Sequence, residues 1–175
     1  MSARYPFTVL VDGVTKSGSL SWKDLQEQTD FRDNIFHFTR TAECQRQYDS
    51  YLKETADLGA AALHNRIVKT NLDIDNSESF GESGIYTFRK NTFPYDFGKN
   101  AHFLLWIHPD CHEKTKKQFF DKEHINETVT SLIVQHRSAL GDLYGKERLI
   151  FRNASINKSV RSIEHFHVIF KFEDA

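Results

Sequence analysis

His165 and His167, in the stretch SIEHFHVIF at 162–170, are two imidazoles two positions apart in an apolar run. In an extended strand side chains alternate, so both rings share one face with Ile169, while Phe166, Val168 and Phe170 take the other. Imidazole titrates near neutrality, ligates metals and serves as acid, base or nucleophile. A third ring, His102, opens the run HFLLWI at 102–107, with Tyr95 and Asp96 just ahead of it in FPYDF. Asn153 and Ser159 flank the approach to the last run, and Arg161 stands close behind. Polar residues thus collect at the ends of otherwise apolar strands, the usual way to build a site on a rigid sheet. The candidate catalytic residues are His165, His167 and His102. Tyr95, Asp96, Trp106, Asn153, Ser159 and Arg161 are the candidate ligand contacts.

Three chemistries fit this set. The first is a small-ligand or enzymatic site on the histidine face, where Arg161 offers paired donors to a phosphorylated ligand and imidazole moves protons. The second is a metal centre using His102, His165, His167 and Asp96, since imidazole and carboxylate suit zinc or iron. The third is a non-enzymatic adaptor in which Trp106, Phe93 and Tyr95 line an aromatic groove and the histidines hydrogen-bond within the fold. Each residue also has a structural role open to it: Asp96 can close a turn on its own backbone and Asn153 can cap a bend. No cofactor is identified by the sequence. GxGxxG, GxxxxGK[ST] and G-x-S-x-G patterns are absent, which disfavours the common nucleotide-binding and α/β-hydrolase classes.

The elements that must position these residues follow from periodicity. SWKDLQEQ at 21–28 reads as a short helix with Ser21 as cap and Asp24 completing a capping box. TAECQRQYDSYLKETADLGAAALHNRIVK, 41–69, reads as one long helix capped by Thr41, with Tyr48, Tyr51 or Leu52, Ala56, Leu63 and Ile67 as its stripe. Lys122 to His136 reads as a second, capped by Asp121, with Ile125, Val129, Leu132 and Ile133 inward. FTVLV at 7–11, the piece before Pro94, HFLLWI, ERLIFRN at 147–153 and HFHVIFKF at 165–172 read as strands. NLDIDNSESFGESG, 71–84, is acidic, polar and aperiodic, and reads as a mobile exposed loop. HPDCHEKTKKQFF at 108–120 reads as a charged turn leading into a helix. Helices come mostly first and strands last, so the expected fold class is α+β: one domain over 1–175, an antiparallel sheet with two long helices on one face, preceded by an extension over 1–20.

A chain of 175 residues can bury a core without disulfides. Its net charge of -1, with both signs interspersed, lacks the footprint of a nucleic-acid binder. Fifteen phenylalanines imply an aromatic core or groove. Cys44 and Cys111 are too few for a disulfide framework and have no paired metal spacing. No run is long enough to span a bilayer, and the first residues do not have the form of a signal peptide. The expectation is a cytoplasmic or nuclear protein with no membrane or nucleic-acid partner; its other partners and oligomeric state stay open.

Two resemblances add to this reading. HFHVI is similar to the end of the histidine-triad nucleotide hydrolase motif, with Ile163 where that motif has its first histidine. So aligned, His165 would be the nucleophile and His167 its partner. More of the chain resembles DUF3605, a mainly fungal family of unknown function also named after an N-acetylglucosamine-induced protein. Trp22, FTRTAECQRQYDSY at 38–51, FPYDF at 93–97, HFLLW at 102–106, FRN at 151–153 and SVRSIEHFHVIF at 159–170 carry that resemblance. It implies importance for Tyr95, Asp96, His102, Trp106, Asn153, Ser159, His165 and His167, and through the name a link to amino sugars, but no reaction.

Overall fold

The computed structural model of the chain describes residues 10–11, 14–15, 20–34, 36–109, 111, 121–154 and 163–172. In chain order these form β1 (Leu10–Val11), β2 (Val14–Thr15), α1 (Trp22–Gln28), α2 (Ala42–Thr55), α3 (Ala60–Asn71), β3 (Ser79–Glu82), β4 (Tyr86–Lys90), β5 (Ala101–Ile107), α4 (Lys122–Gln135), α5 (Arg137–Leu140), β6 (Arg148–Phe151) and β7 (His165–Phe170). Five strands make one antiparallel sheet in the order β3-β4-β5-β7-β6. The α+β class is therefore as expected. Sequences 7–9, most of 108–120 and the approach 155–162, which holds Ser159 and Arg161, lie outside the described residues.

Sheet alternation sorts the core into two faces. On one, Phe88, Leu105, Ile107, Phe166, Val168 and Phe170 pack against Ile125, Val129, Leu132 and Ile133 of α4. Those four helix positions recur at the spacing of a single stripe, and each such side chain contributes roughly 1.5–3 kcal/mol when fully buried. Asp121 caps α4 through the backbone N–H groups of Glu123 and His124, as its sequence predicts. Ser21 and Asp24 likewise complete the capping box of α1.

The other face is divided. One cluster joins Leu25, Phe36, Phe38, Phe97, Phe151 and Ile169; the other joins Ile67 of α3 to Leu104, Trp106 and Ile163. The long helix expected over 41–69 is thus two helices, and they lie across the sheet from α4 rather than beside it. The break begins where the Thr55 hydroxyl bonds back to the carbonyls of Tyr51 and Leu52, and Gly59 then starts α3 without a side-chain cap. α2 buries only Thr55 and α3 only Ile67, so this helix pair rests on the sheet with little packed surface beneath it.

The segment expected as a loop over 71–84 ends in edge strand β3, hairpinned to β4. Gly81, at φ 155°, faces Thr87, and a Cβ there would stand 2.2 Å from the Tyr86 carbonyl oxygen. Gly81→Ala should cost about 1–3 kcal/mol in urea unfolding. An unchanged midpoint would mean that the edge strand shifts without penalty.

Candidate functional site

β7 lies between β5 and β6, and its pairing sets the site. Trp106 faces His165, Leu104 faces His167, His102 faces Ile169, and on the other side Phe151 faces His167. The three imidazoles therefore share one sheet face, with ring centroids 5.1 Å apart for His102–His167 and 5.2 Å for His165–His167. All three are buried, at 2%, 6% and 4% exposure for His102, His165 and His167. Phe151 stacks flat on His167, Tyr95 stacks on both His102 and His167, and Trp106 packs on His165.

Their nitrogens are held in order. The Tyr95 backbone N–H donates to His102 Nδ1 at 3.1 Å, and His102 Nε2 meets His167 Nδ1 at 2.9 Å. His167 Nε2 stands 3.2 Å from the Asn153 amide nitrogen. The Asn153 amide nitrogen donates to the Tyr95 hydroxyl, while its oxygen accepts from Asn34. His165 donates from Nδ1 to the Ile163 carbonyl at 3.2 Å. Burial, followed by the positive charge of Arg40 and then His165, pushes His102 down to about 3. Burial also holds His167 well below its usual value, with His102, His165 and Arg40 adding to the effect. Both rings are neutral at pH 7.

A cavity of about 480 Å³ opens over this face, roofed by α2 and α3. His165, His167, Asn153, Trp106 and Tyr95 line it, so five of the sequence-predicted residues meet at one hollow. His102 is sealed beneath, towards a second hollow of about 340 Å³ that it shares with Asp96. Asp96 accepts the Gly98 N–H and so closes a turn, the role its sequence setting allowed. It does not join the histidines as a metal ligand. Among the described residues no group of three or more His, Cys, Asp or Glu could hold a metal ion, and His102 and His167 direct nitrogens at each other rather than at a common point. The aromatic groove takes the form of a wall: Phe93 packs under Tyr48 and Tyr51, and Trp106 is 4% exposed.

A family model described as "Protein of unknown function (DUF3605)" matches residues 21–171. The chain belongs to DUF3605. No curated protein matches it. Among solved structures it is similar to one titled "Crystal Structure of HTC1", at 22% identity and a TM-score of 0.45, covering 78% of this chain and 77% of that one. No helix among the described residues is long and apolar enough to cross a membrane.

In this DUF3605 chain the charged half of the cavity escaped the sequence reading. Arg40, Arg66, Arg89 and Lys90 all line it, and no Asp or Glu does so among the described residues. The Arg40 guanidinium lies 4.0 Å from the Tyr48 ring centre and 4.8 Å from that of Tyr95, with Nε on the Phe93 carbonyl. Arg66 stands over Tyr51. Arg89 binds the Thr70 carbonyl, yet its Nε and the indole N–H of Trp106 are buried donors without acceptors. Two signals in the sequence pointed there. Arg40 immediately precedes the N-cap of α2, the helix end that disfavours cations. Arg89 sits in phase with Thr87 on the inward side of its strand, where a cation must find a reason to be.

Proposed function

We propose that this chain binds a small anionic molecule with an apolar or ring-shaped body, in the cavity between the α2–α3 pair and the histidine face. Phosphorylated compounds, including phosphorylated amino sugars, are the first class to test. One observation carries the reading: four cationic residues and, among the described residues, no Asp or Glu line a cavity whose remaining wall is mostly aromatic and aliphatic. A pocket of one sign, with low-dielectric walls, concentrates the opposite charge. Arginine forks match phosphate and carboxylate oxygens, while Tyr48, Tyr51 and Phe93 offer faces to a ring. The size suits a drug-sized ligand.

The test is thermal unfolding at pH 7.5 with matched pairs: N-acetylglucosamine and its 6-phosphate, adenosine and its 5′-monophosphate. The charged member of a pair is expected to stabilise, by about 2.7 kcal/mol at a hundred times its Kd, and the uncharged member far less. Arg40→Gln should weaken that ligand roughly ten- to hundredfold, as loss of a hydrogen bond to a charged group implies. Equal stabilisation by charged and uncharged members, or none by any, removes the reading.

A further inference from the structure

Between the Tyr95 backbone N–H and the Asn153 amide lie two imidazoles and three hydrogen-bond contacts: Tyr95 to His102, His102 to His167, His167 to Asn153. Both ends are tied to the backbone. The Tyr95 N–H is a main-chain donor, in a loop pinned next door by the Asp96 N–H on the Thr39 carbonyl. At the far end Asn34 donates to the Phe36 carbonyl, which turns its amide nitrogen towards Asn153 Oδ1 and so presents the Asn153 amino group to His167. If both ends donate inward, each neutral ring must keep its one proton on its inner nitrogen. Two N–H groups would then face each other across 2.9 Å, which is repulsive. One outer contact has to yield.

The contact at Asn153 is the one that yields. It is the longest of the three, and the Asn153 amino group already has an acceptor in the Tyr95 hydroxyl. Without His102 Nδ1, by contrast, a backbone N–H would be stranded inside the fold. His102 therefore carries its proton on Nε2 and gives it to His167 Nδ1, and His167 carries its own on Nε2. The consequence lies in the cavity wall. His167 Nε2–H and the Asn153 amino group are two donors 3.2 Å apart, both belonging to residues that line the cavity.

The geometry points to an oxyanion subsite: an anionic oxygen of the ligand accepts together from His167 Nε2–H and from the Asn153 amino group, on the wall that Arg40 also lines. This rests on the anion-binding reading above and deepens it by naming the recognised atom and the residues that meet it. The role of His167 is donation in the neutral state, a positioning of charge rather than a transfer of protons. An anion received there is gripped by tautomer, and an uncharged ether or carbonyl only weakly.

Nitrogen-15 NMR of the histidine-labelled protein at pH 7.5 tests the tautomers first, with no ligand. Both His102 and His167 are expected as Nε2–H rings; His167 as an Nδ1–H ring overturns the proposal whatever binds. Titration with inorganic phosphate follows. The His167 Nε2–H and the Asn153 side-chain amide are expected to shift together along one saturating curve. Phosphate that shifts Arg40 and Arg66 but leaves these two unmoved overturns the subsite and keeps the anion pocket. Phosphate that shifts none of the four overturns both. Asn153→Asp should lower phosphate affinity roughly ten- to hundredfold, because a carboxylate replaces the donor. Should that variant fail to fold, the wild-type titration alone decides the matter.

Discussion

Between pH 7.5 and pH 5 the protein is expected to lose roughly 2 kcal/mol of stability to urea from His102 alone, with His167 adding to the loss, a large share of what a domain of this size has. His102 has a folded value of about 3 against 6.5 for the free side chain, and His167 is displaced in the same direction. As the pH falls below 6.5 the unfolded chain takes up a proton on each ring while the folded protein takes up none. Stability is therefore complete above 6.5 and falls as the pH drops towards about 3, where His102 protonates in place. The slope is about 1.4 kcal/mol per pH unit for His102, and His167 steepens it. Native carboxylates add their own acid loss mostly below the window chosen, so the interval from 6.5 to 5 isolates the histidines. Urea melts at half-unit intervals measure the slope, and a His102→Gln, His167→Gln double variant should flatten it. A wild-type curve flat across that interval would mean that water reaches the rings and that they are not held neutral inside the sheet.

The buried position of these rings marks the boundary of what the sequence carries. Alternation in HFHVIF places His165, His167 and Ile169 on one face without reference to anything distant, because a strand has a side-chain period of two. The partner of that face is another matter. Whether His102 lies opposite Ile169 or one residue along is decided by the register of β5 on β7, two strands joined through α4 and β6. A slip of one residue would send His102 to the α4 side and Phe103 to the histidine side. The match of two apolar rows, Leu105 with Phe166 and Phe103 with Val168, sets the register, and no local pattern encodes such a match.

The same division of local from distant information explains the helices. A continuous apolar stripe over 41–69 is consistent with one helix, because Leu63 and Ile67 recur at the spacing that Tyr48 and Leu52 begin. Gly59 is the legible interruption, and what settles its effect is the central strand β5, which α3 must reach to bury Ile67 against Leu104 and Trp106. Breaking the helix lets α2 and α3 bridge a hollow instead of filling it. The charged lining follows from that choice: Arg40, Arg66 and Arg89 come from three separate elements, and only the fold brings them together.

Phe38→Ala is expected to cost about 3–5 kcal/mol, the range for deleting a buried phenylalanine, and to damage the site as well as the core. Phe38 is 2% exposed. Its ring lies 4.8 Å from Phe36, 5.0 Å from Phe97, 5.5 Å from Phe151 and 5.8 Å from Tyr95. Two of those neighbours hold the histidine pair: Phe151 stacks on His167 at 4.9 Å, and Tyr95 on His102 at 5.3 Å. A void behind them frees both rings to tilt, so the Tyr95 N–H to His102 contact should lengthen and the two imidazoles should lose their single tautomer. Phe88→Ala is the matched control, since Phe88 is equally buried but packs on the α4 side of the sheet. Both variants should fall by similar amounts in urea melts at low temperature. Only Phe38→Ala should broaden the His102 and His167 nitrogen resonances and flatten the acid slope. Phe38→Leu, which keeps most of the volume, should retain a stability intermediate between Phe38→Ala and wild type. If Phe88→Ala disturbs the histidines as much as Phe38→Ala does, the pair is held by the sheet as a whole and not by the aromatic cluster beneath it.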